Sequence, residues 1–197
     1  MAVKPSNANA FPHELLSSRE AAAGVLRWYA AHVPRGREEA FAEKCRRIIS
    51  AEVLGDCFFP KCEKFMKRQG SWVVEEAPLF SEYFFLATRD VRALAKELAT
   101  LSFPVMLIGR DGRTFAPLAK DAQTWLAGAL DNRHVLRAST GVIEDGALRV
   151  QRGPLRGHEA DVRRIDRHKR VAYVGLCDRD GSGGFQLRAA LNVPQKS

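Results

Sequence analysis

The residues best suited to chemistry in this sequence are eight arginines and lysines that fall within positions 149–170. An arginine side chain donates paired hydrogen bonds to phosphate oxygens and to guanine edges, so such a cluster suits a nucleic acid. Two histidines in the same stretch add charge near neutral pH. The cluster predicts an RNA contact; the alternative interpretation is a solvated basic surface. Its basic residues are Arg149, Arg152, Arg156, Arg163, Arg164, Arg167, Lys169 and Arg170.

The composition is that of a basic globular protein. The chain has 197 residues, with 31 lysines and arginines against 23 aspartates and glutamates, which gives a net charge of +8. An excess of positive charge favours polyanionic partners. No apolar run is long enough to span a membrane, and the N-terminus lacks the pattern of a secretory signal. We therefore expect a cytoplasmic protein with no membrane partner.

The spacing of cysteines and histidines argues against catalysis and metal binding. The four cysteines form no C-x-x-C pair, and the five histidines form no H-E-x-x-H motif. Gly181–Gly184 lacks the Lys-Ser/Thr ending of a phosphate-binding loop, and no G-x-S-x-G motif is present. We expect no enzyme activity, no cofactor and no metal site. The cysteines are expected to be buried thiols of a reducing compartment: Cys45, Cys57, Cys62 and Cys177.

Residues 25–130 carry strand and helix patterns that fit one domain. Short runs rich in aromatic and β-branched residues predict strands, and apolar stripes with helical spacing predict helices. Asp90 is the expected N-cap of the second helix. A mainly antiparallel sheet with helices on it is an α+β fold. The predicted order is strand 25–33, helix 37–53, strand 57–60, a hairpin of 61–68 and 71–76, strand 83–88, helix 91–101, strand 105–108 and helix 120–130.

The pattern changes after Asn132, because no further helical stripe appears. Apolar and polar residues alternate at 148–150, 172–176 and 187–193, and glycines punctuate these runs. Short strands with glycine-rich turns predict a small all-β barrel at 139–197. Residues 131–138 are then a linker between the two domains, and residues 1–24 are a loose N-terminal tail.

Three segments resemble the NusG family of transcription factors. Val25–Val33 followed by Pro34–Glu39 resembles the opening strand and helix of the NusG N-terminal domain, and Pro78–Phe85 resembles its Phe-Pro-Gly-Tyr strand. Gly153–Gly157 together with Asp166–Ala172 resembles a KOW motif. The resemblance covers about residues 25–195 and implies a NusG N-terminal domain followed by an SH3-like KOW barrel. The phrasing of the KOW segment is similar to the specialised paralogues of the LoaP type.

The resemblance implies a bacterial transcription elongation factor that acts as an operon-specific processive antiterminator. The first domain would bind the clamp helices of RNA polymerase and suppress pausing, through Phe80, Tyr83, Phe85 and His32. Arg35 and Arg37 would touch the non-template DNA strand, unless they are simply a solvated loop. The KOW domain would bind a hairpin of the nascent leader RNA. The RNA-binding residues would be Arg152, Arg156, His158, Arg163, Arg167, His168, Lys169 and Arg170.

The chain departs from the family pattern at two places. Ser81-Glu82 stands where the family has Pro-Gly, which places a charge beside the aromatic residues, and Ala119 stands where a serine would cap the third helix. Two other functions remain open. The chain is either a general elongation factor whose KOW domain binds ribosomal or termination proteins, with or without other Nus factors, or an RNA-binding module with no polymerase contact. In each case we expect a monomer.

Overall fold

A computed structural model describes residues 24–103, 105–109, 115–176 and 185–194 of the chain. The predicted N-terminal tail, except for Gly24, lies outside these residues, as do Cys177 and the predicted glycine-rich turn at 181–184. The described residues form a mixed fold of three α-helices and three sheets, so the predicted α+β class is confirmed. No helix among them has the length and apolar character that crossing a membrane requires.

The elements up to the third helix follow the predicted order. Asp90 caps α2 as predicted, because its Oδ1 accepts hydrogen bonds from the backbone N–H groups of Arg92 and Ala93, both at 3.0 Å. No side chain caps α3 at Ala119. The elements are β1 (Arg27–His32), α1 (Glu38–Ile48), β2 (Asp56–Phe58), β3 (Lys61–Arg68), β4 (Ser71–Pro78), β5 (Tyr83–Thr88), α2 (Val91–Ala99), β6 (Met106–Leu107) and α3 (Lys120–Ala129).

The central sheet has the strand order β2-β5-β1-β6, and both of its faces are covered. All six residues of β5 are buried. Because side chains alternate along a strand, Phe84 and Leu86 join an apolar cluster beneath α1 and α2, whereas Tyr83 and Phe85 join a second cluster on the opposite face. Residues 83–86 therefore read as a continuous apolar run.

The hairpin of β3 and β4 extends from this sheet. The two strands pair from Lys61 opposite Pro78 to Arg68 opposite Ser71. Both turn residues, Gln69 and Gly70, have positive φ angles, of 47° and 84°. Two such residues in succession are typical of the tight turns that suit the strand twist, so the predicted hairpin is confirmed.

The segment 131–138 is ordered against the hairpin. Its strand β7 (Val135–Leu136) pairs in parallel with Lys61 and Cys62 of β3, which makes a three-stranded sheet in the order β4-β3-β7. The Arg137 guanidinium then contacts the carboxylates of Glu63, Glu76 and Asp131. This stretch is docked on the rest of the protein along its length.

The last part of the chain is a five-stranded sheet with the order β10-β11-β12-β8-β9. Its pairs are antiparallel except for β8 and β12, which run parallel at Ser139–Leu191. Among the described residues no pairing joins β9 to β10, so these five strands form an open sheet and not the closed barrel that the sequence predicts. The elements are β8 (Ser139–Glu144), β9 (Ala147–Arg152), a 3-10 turn (Glu159–Asp161), β10 (Val162–Asp166), β11 (Val171–Leu176) and β12 (Phe185–Asn192).

A single apolar core joins this sheet to the first part of the chain. Phe85 and Trp125 from the first part belong to the same cluster as Val150, Leu155 and Leu187 of the five-stranded sheet. Burial of this shared surface is the main favourable contribution to holding the two parts together. Cys45, Cys57 and Cys62 are buried and free, as the sequence predicts.

Candidate nucleic-acid interface

One concave surface of the described residues gathers four basic side chains. It is a cleft of about 850 Å³ between the β3–β4 hairpin and the edge of the five-stranded sheet. Three arginines, one histidine, one tryptophan and one aspartate line it together with Ile165, Asn192, Val193 and Pro194. We call it the basic cleft and define it by Trp72, Arg164, Asp166, Arg167, His168 and Arg170.

The basic residues converge because β10 and β11 are joined by a tight turn. Asp166 pairs with Val171, so Arg167, His168, Lys169 and Arg170 are forced into the four-residue connection. The N–H of Arg170 donates to the carbonyl of Arg167 at 3.3 Å, and Arg170 adopts a left-handed φ of 53°. The turn leaves Arg167, His168 and Lys169 exposed and Arg170 half-buried, and all of these except Lys169 line the cleft.

Asp166 fastens this turn. Its Oδ1 accepts a hydrogen bond from the N–H of Lys169 at 2.9 Å, and its Oδ2 lies 3.8 Å from the Lys169 Nζ. This hydrogen bond lowers the pKa of Asp166, and the charges of Lys169, His168 and Arg164 lower it further. The carboxylate is therefore ionised at neutral pH and removes one unit of positive charge from the cleft while it shapes the turn.

Two arginines of this region lie over aromatic rings. The Arg170 guanidinium is 4.5 Å from the ring centroid of Trp72 and 5.4 Å from that of Phe65. The Arg164 guanidinium is 4.1 Å from the ring centroid of Tyr173. Cation–π contacts of this geometry orient the planar groups and leave their N–H donors available to an anion. Within the described part of the chain, neither guanidinium has a carboxylate oxygen within 4 Å.

The structure gathers only part of the predicted RNA-binding set. Arg167, His168 and Arg170 line the basic cleft, and Lys169 lies in the same turn. Arg163 precedes Arg164 at a bulge in β10, and its side chain crosses Gly175 of β11. Arg164 belongs to the basic cluster of the sequence but was not among the predicted contacts, and no sequence pattern singled out Trp72.

The other predicted RNA-binding residues lie away from the cleft. Arg152 ends β9 and Arg156 lies in the following turn, and β9 is at the opposite edge of the five-stranded sheet from β10. Both side chains are exposed. His158 is held by the Asp161 carboxylate at 3.0 Å and packs edge-on against Trp125 at 5.5 Å. His158 therefore has a structural environment at the junction with α3.

The aromatic residues expected to bind polymerase are covered. Phe80 and Tyr83 are each 7% exposed and Phe85 is 0% exposed, so the predicted polymerase contact through these rings is not accessible in this conformation. Phe185 of β12 lies 6.1 Å from Phe80 between ring centroids. His32 is half-buried and packs edge-on against Tyr83 at 5.2 Å. The cause is the shared core, because the five-stranded sheet covers the apolar face that these rings form.

The segment between Phe80 and Tyr83 is held by an unusual backbone. Glu82 has a φ of 71°, in the left-handed region that favours glycine. Its N–H donates to Oε1 of the buried Glu38 at 2.9 Å, and its carbonyl accepts from the N–H of Val33 at 2.9 Å. Position 82 therefore has a backbone conformation that glycine adopts without strain and that is strained for glutamate.

Arg35 and Arg37 are both exposed in the loop before α1. Arg37 is the N-cap residue of that helix and makes no capping hydrogen bond with its side chain. Their side chains are available to an anion, and a solvated loop accounts for them equally well.

Comparison with known proteins leaves the chain without an assigned family. No family model matches the sequence, and no curated protein matches it significantly. In the described ranges, three or more histidine, cysteine, aspartate or glutamate residues nowhere gather as a metal site would require.

Proposed function

We propose that this chain is a transcription elongation factor of the NusG class, and that it acts as an operon-specific antiterminator by holding nascent RNA in its basic cleft. The observation that carries the RNA contact is the convergence of Arg164, Arg167, His168 and Arg170 beside Trp72. The resemblance of three segments to the NusG family supports the assignment to transcription.

The chemistry of the cleft suits RNA. Phosphate contacts provide most of the affinity of a nucleic-acid interface, and they make binding fall as salt rises. Arginine forks also reach guanine edges in the unpaired loops and bulges that proteins read in RNA. The cleft offers several such forks at the surface with one carboxylate among them.

Polymerase contact through Phe80 and Tyr83 requires a rearrangement. In the conformation described, Phe185 of β12 lies against Phe80 and both Phe80 and Tyr83 are buried, so the clamp helices would reach them only if the five-stranded sheet moved aside. Polymerase would then select the open form by its differential affinity for the exposed aromatic face. The half-buried His32 and the exposed Arg35 and Arg37 would border that face, the arginines towards non-template DNA.

Two double variants test the RNA contact with matched charge. Arg164→Ala with Arg167→Ala removes two guanidinium groups from the cleft, whereas Arg152→Ala with Arg156→Ala removes two from the other end of the sheet. In salt titrations with a leader RNA hairpin, we expect the cleft variant to bind more weakly. Its salt slope should be lower by about 1 for each phosphate that the variant no longer neutralises. The control variant should bind nearly as the parent protein does, and equal binding by both variants would contradict the proposal.

Transcription itself is tested on a template that carries the native leader before a terminator. We expect read-through to rise with added protein and to lose this effect when the leader hairpin is scrambled. A rise that ignores the scrambling would favour a general elongation factor whose last part binds a ribosomal or termination protein.

An RNA-binding protein without polymerase contact is the second candidate function, and the burial of Phe80 and Tyr83 favours it. Phe185→Ala separates the two, because it weakens the cover over Phe80 without altering the face that polymerase would bind. Under the NusG-class proposal this variant should be captured by core polymerase more strongly than the parent. If neither protein is captured, the RNA-binding function alone remains.

A further inference from the structure

Trp72 stands out among the aromatic residues of the described chain. Its side chain projects from β4, opposite Lys67 of β3, and the residue is 37% exposed. One contact of its ring is the Arg170 guanidinium, which arrives from the turn between β10 and β11. A large ring kept partly in solvent at the wall of a basic cleft is available to a planar ligand.

The partly exposed ring of Trp72 favours unpaired RNA over paired RNA as the ligand. An aromatic ring stacks on a base only when that base is not already stacked and paired inside a duplex. The cleft volume of about 850 Å³ lies within the range of roughly 300–1,000 Å³ that is usual for pockets of small ligands. A space of that size suits a nucleotide or a short unpaired segment.

The arginines supply the complementary contacts. Arg164 and Arg167 lie across the cleft from the hairpin, on β10 and the turn that follows it. Their guanidinium groups can hold phosphates while a base lies against Trp72. This combination of a positive groove with an aromatic stacking surface is the general solution for binding single strands.

We propose that Trp72 stacks on a base of an unpaired RNA segment bound in the basic cleft, with the adjoining phosphates held by Arg164 and Arg167. The proposal rests on the proposed RNA-binding function and specifies its ligand as a loop, bulge or single strand. It also makes the site composite, because Trp72 belongs to the β3–β4 hairpin and the arginines belong to the five-stranded sheet. Bound RNA would then bridge the two parts of the molecule.

A purely internal role for Trp72 is the competing explanation. In that case the ring serves only to fasten the hairpin to Arg170, and its loss affects folding but no ligand. Trp72→Leu and Trp72→Phe separate these roles, because both keep an apolar side chain and only phenylalanine keeps an aromatic face. Val73→Ala is the matched control, since Val73 is exposed on the same strand but points to its other face.

The experiment measures binding of the full chain to three probes of equal length: a single-stranded RNA oligonucleotide, its blunt-ended duplex and an abasic strand. We expect Trp72→Leu to weaken binding of the single strand by about 5- to 100-fold with an unchanged salt slope. Trp72→Phe should retain most of the affinity, and Val73→Ala all of it. Binding of the duplex and of the abasic strand should not respond to Trp72→Leu. Thermal unfolding of each variant verifies that it is folded.

The outcomes separate the stacking proposal from the function on which it rests. If Trp72→Leu binds the single strand as the parent does while Arg164→Ala with Arg167→Ala binds it weakly, stacking is overturned and RNA binding stands. An equal loss on the abasic strand also overturns stacking, because no base is present there. If the parent protein binds none of the three probes, both the stacking proposal and the RNA-binding function fail.

Discussion

The rings of Phe80, Tyr83 and Phe85, here called the aromatic pocket, and the basic cleft differ in accessibility. Both are built where the five-stranded sheet meets the first part of the chain. The pocket is closed by Phe185, whereas the cleft remains open to solvent. Covering an apolar surface lowers the free energy of the folded protein, whereas burying a cluster of like charges raises it because the charges lose their hydration.

This difference indicates which of the two surfaces is accessible to a partner in the isolated chain. The aromatic pocket, which would suit a protein partner, is covered by Phe185 of the same chain. The basic cleft, which would suit a polyanion, is open to solvent. The open cleft is therefore the site that is ready to bind first, and any partner of Phe80 must compete with β12. The following predictions test how firmly the five-stranded sheet is held against the first part of the chain and what stabilises the segments near this junction.

The largest effect is expected from Leu155→Ala. Leu155 is fully buried in the shared core, and its N–H donates to the hydroxyl of Ser139 at 3.2 Å. Truncation of such a side chain costs about 2–5 kcal/mol. All three tryptophans belong to the first part of the chain, so their fluorescence should report this loss although Leu155 lies in the second part. A urea transition of tryptophan fluorescence that stays unchanged would mean that the two parts unfold separately.

A pair of glycine variants comes next in size. A Cβ atom on Gly153 would lie 2.5 Å from the Ser139 Oγ and 2.8 Å from the Ala138 carbonyl oxygen, whereas one on Gly157 would meet nothing within 4 Å. Both glycines have positive φ angles. Gly157→Ala should therefore cost about 1–2 kcal/mol for its backbone alone. Gly153→Ala should cost a further 1–3 kcal/mol or so for the clash, as measured by urea denaturation. Equal costs would show that the two chain segments are not in close contact there.

Much of the fold could be predicted from short sequence patterns. Asp90 predicts the start of α2 and Gln69-Gly70 predicts the hairpin turn, because a cap and a tight turn depend on a few neighbouring residues. The strand β10 escaped prediction because arginines fill the segment. Charged residues are typical of an edge strand, and β10 lies at the edge of its sheet. The arginines of this segment are therefore compatible with an edge strand.

The composite features had no local signal. The contact between Trp72 and Arg170 and the contact between Phe80 and Phe185 each join residues about a hundred positions apart. Aromatic side chains such as Phe80 and Tyr83 predict burial or an interface equally well, and only the tertiary arrangement decides between the two. The sequence predicts a linker at 131–138 because this segment lies between the two predicted domains, yet its Arg137 forms ion pairs with Glu63 and Asp131.

A smaller, pH-dependent effect is expected from the ion pairs that hold the segment 131–138 against the β3–β4 hairpin. Burial raises the pKa of Asp131, but hydrogen bonds from the Val135 and Arg133 N–H groups and from Arg137 outweigh it, and the net pKa is lowered. A carboxylate with a lowered pKa contributes stability above its unfolded pKa of about 3.9, and that stability is lost as pH falls through the folded value. The free energy of unfolding should therefore decrease below about pH 4.

Asp131→Asn tests this assignment. The variant should be less stable than the parent at neutral pH and should lose less stability on acidification, because asparagine does not titrate. The measurement is the urea midpoint at a series of pH values. Parallel pH profiles for the two proteins would assign the acid sensitivity to other carboxylates with lowered pKa, such as Asp166 and Glu159.

The smallest effect is expected at Glu82, beside the aromatic pocket. Glu82→Gly relieves a left-handed backbone that costs a non-glycine residue roughly 1–2 kcal/mol, although the added freedom of the unfolded glycine offsets about 0.5–1 kcal/mol of the gain. A net rise of about 0.5–1 kcal/mol in the free energy of unfolding follows. Ser81→Gly is the control, because Ser81 is not among the residues with positive φ. This variant should be less stable than the parent, since glycine adds freedom to the unfolded chain and relieves no strain. The added stability arises beside the strand that carries Tyr83 and does not alter the cleft, so the affinity for RNA should stay constant. A change in that affinity would show that the aromatic pocket and the basic cleft are coupled.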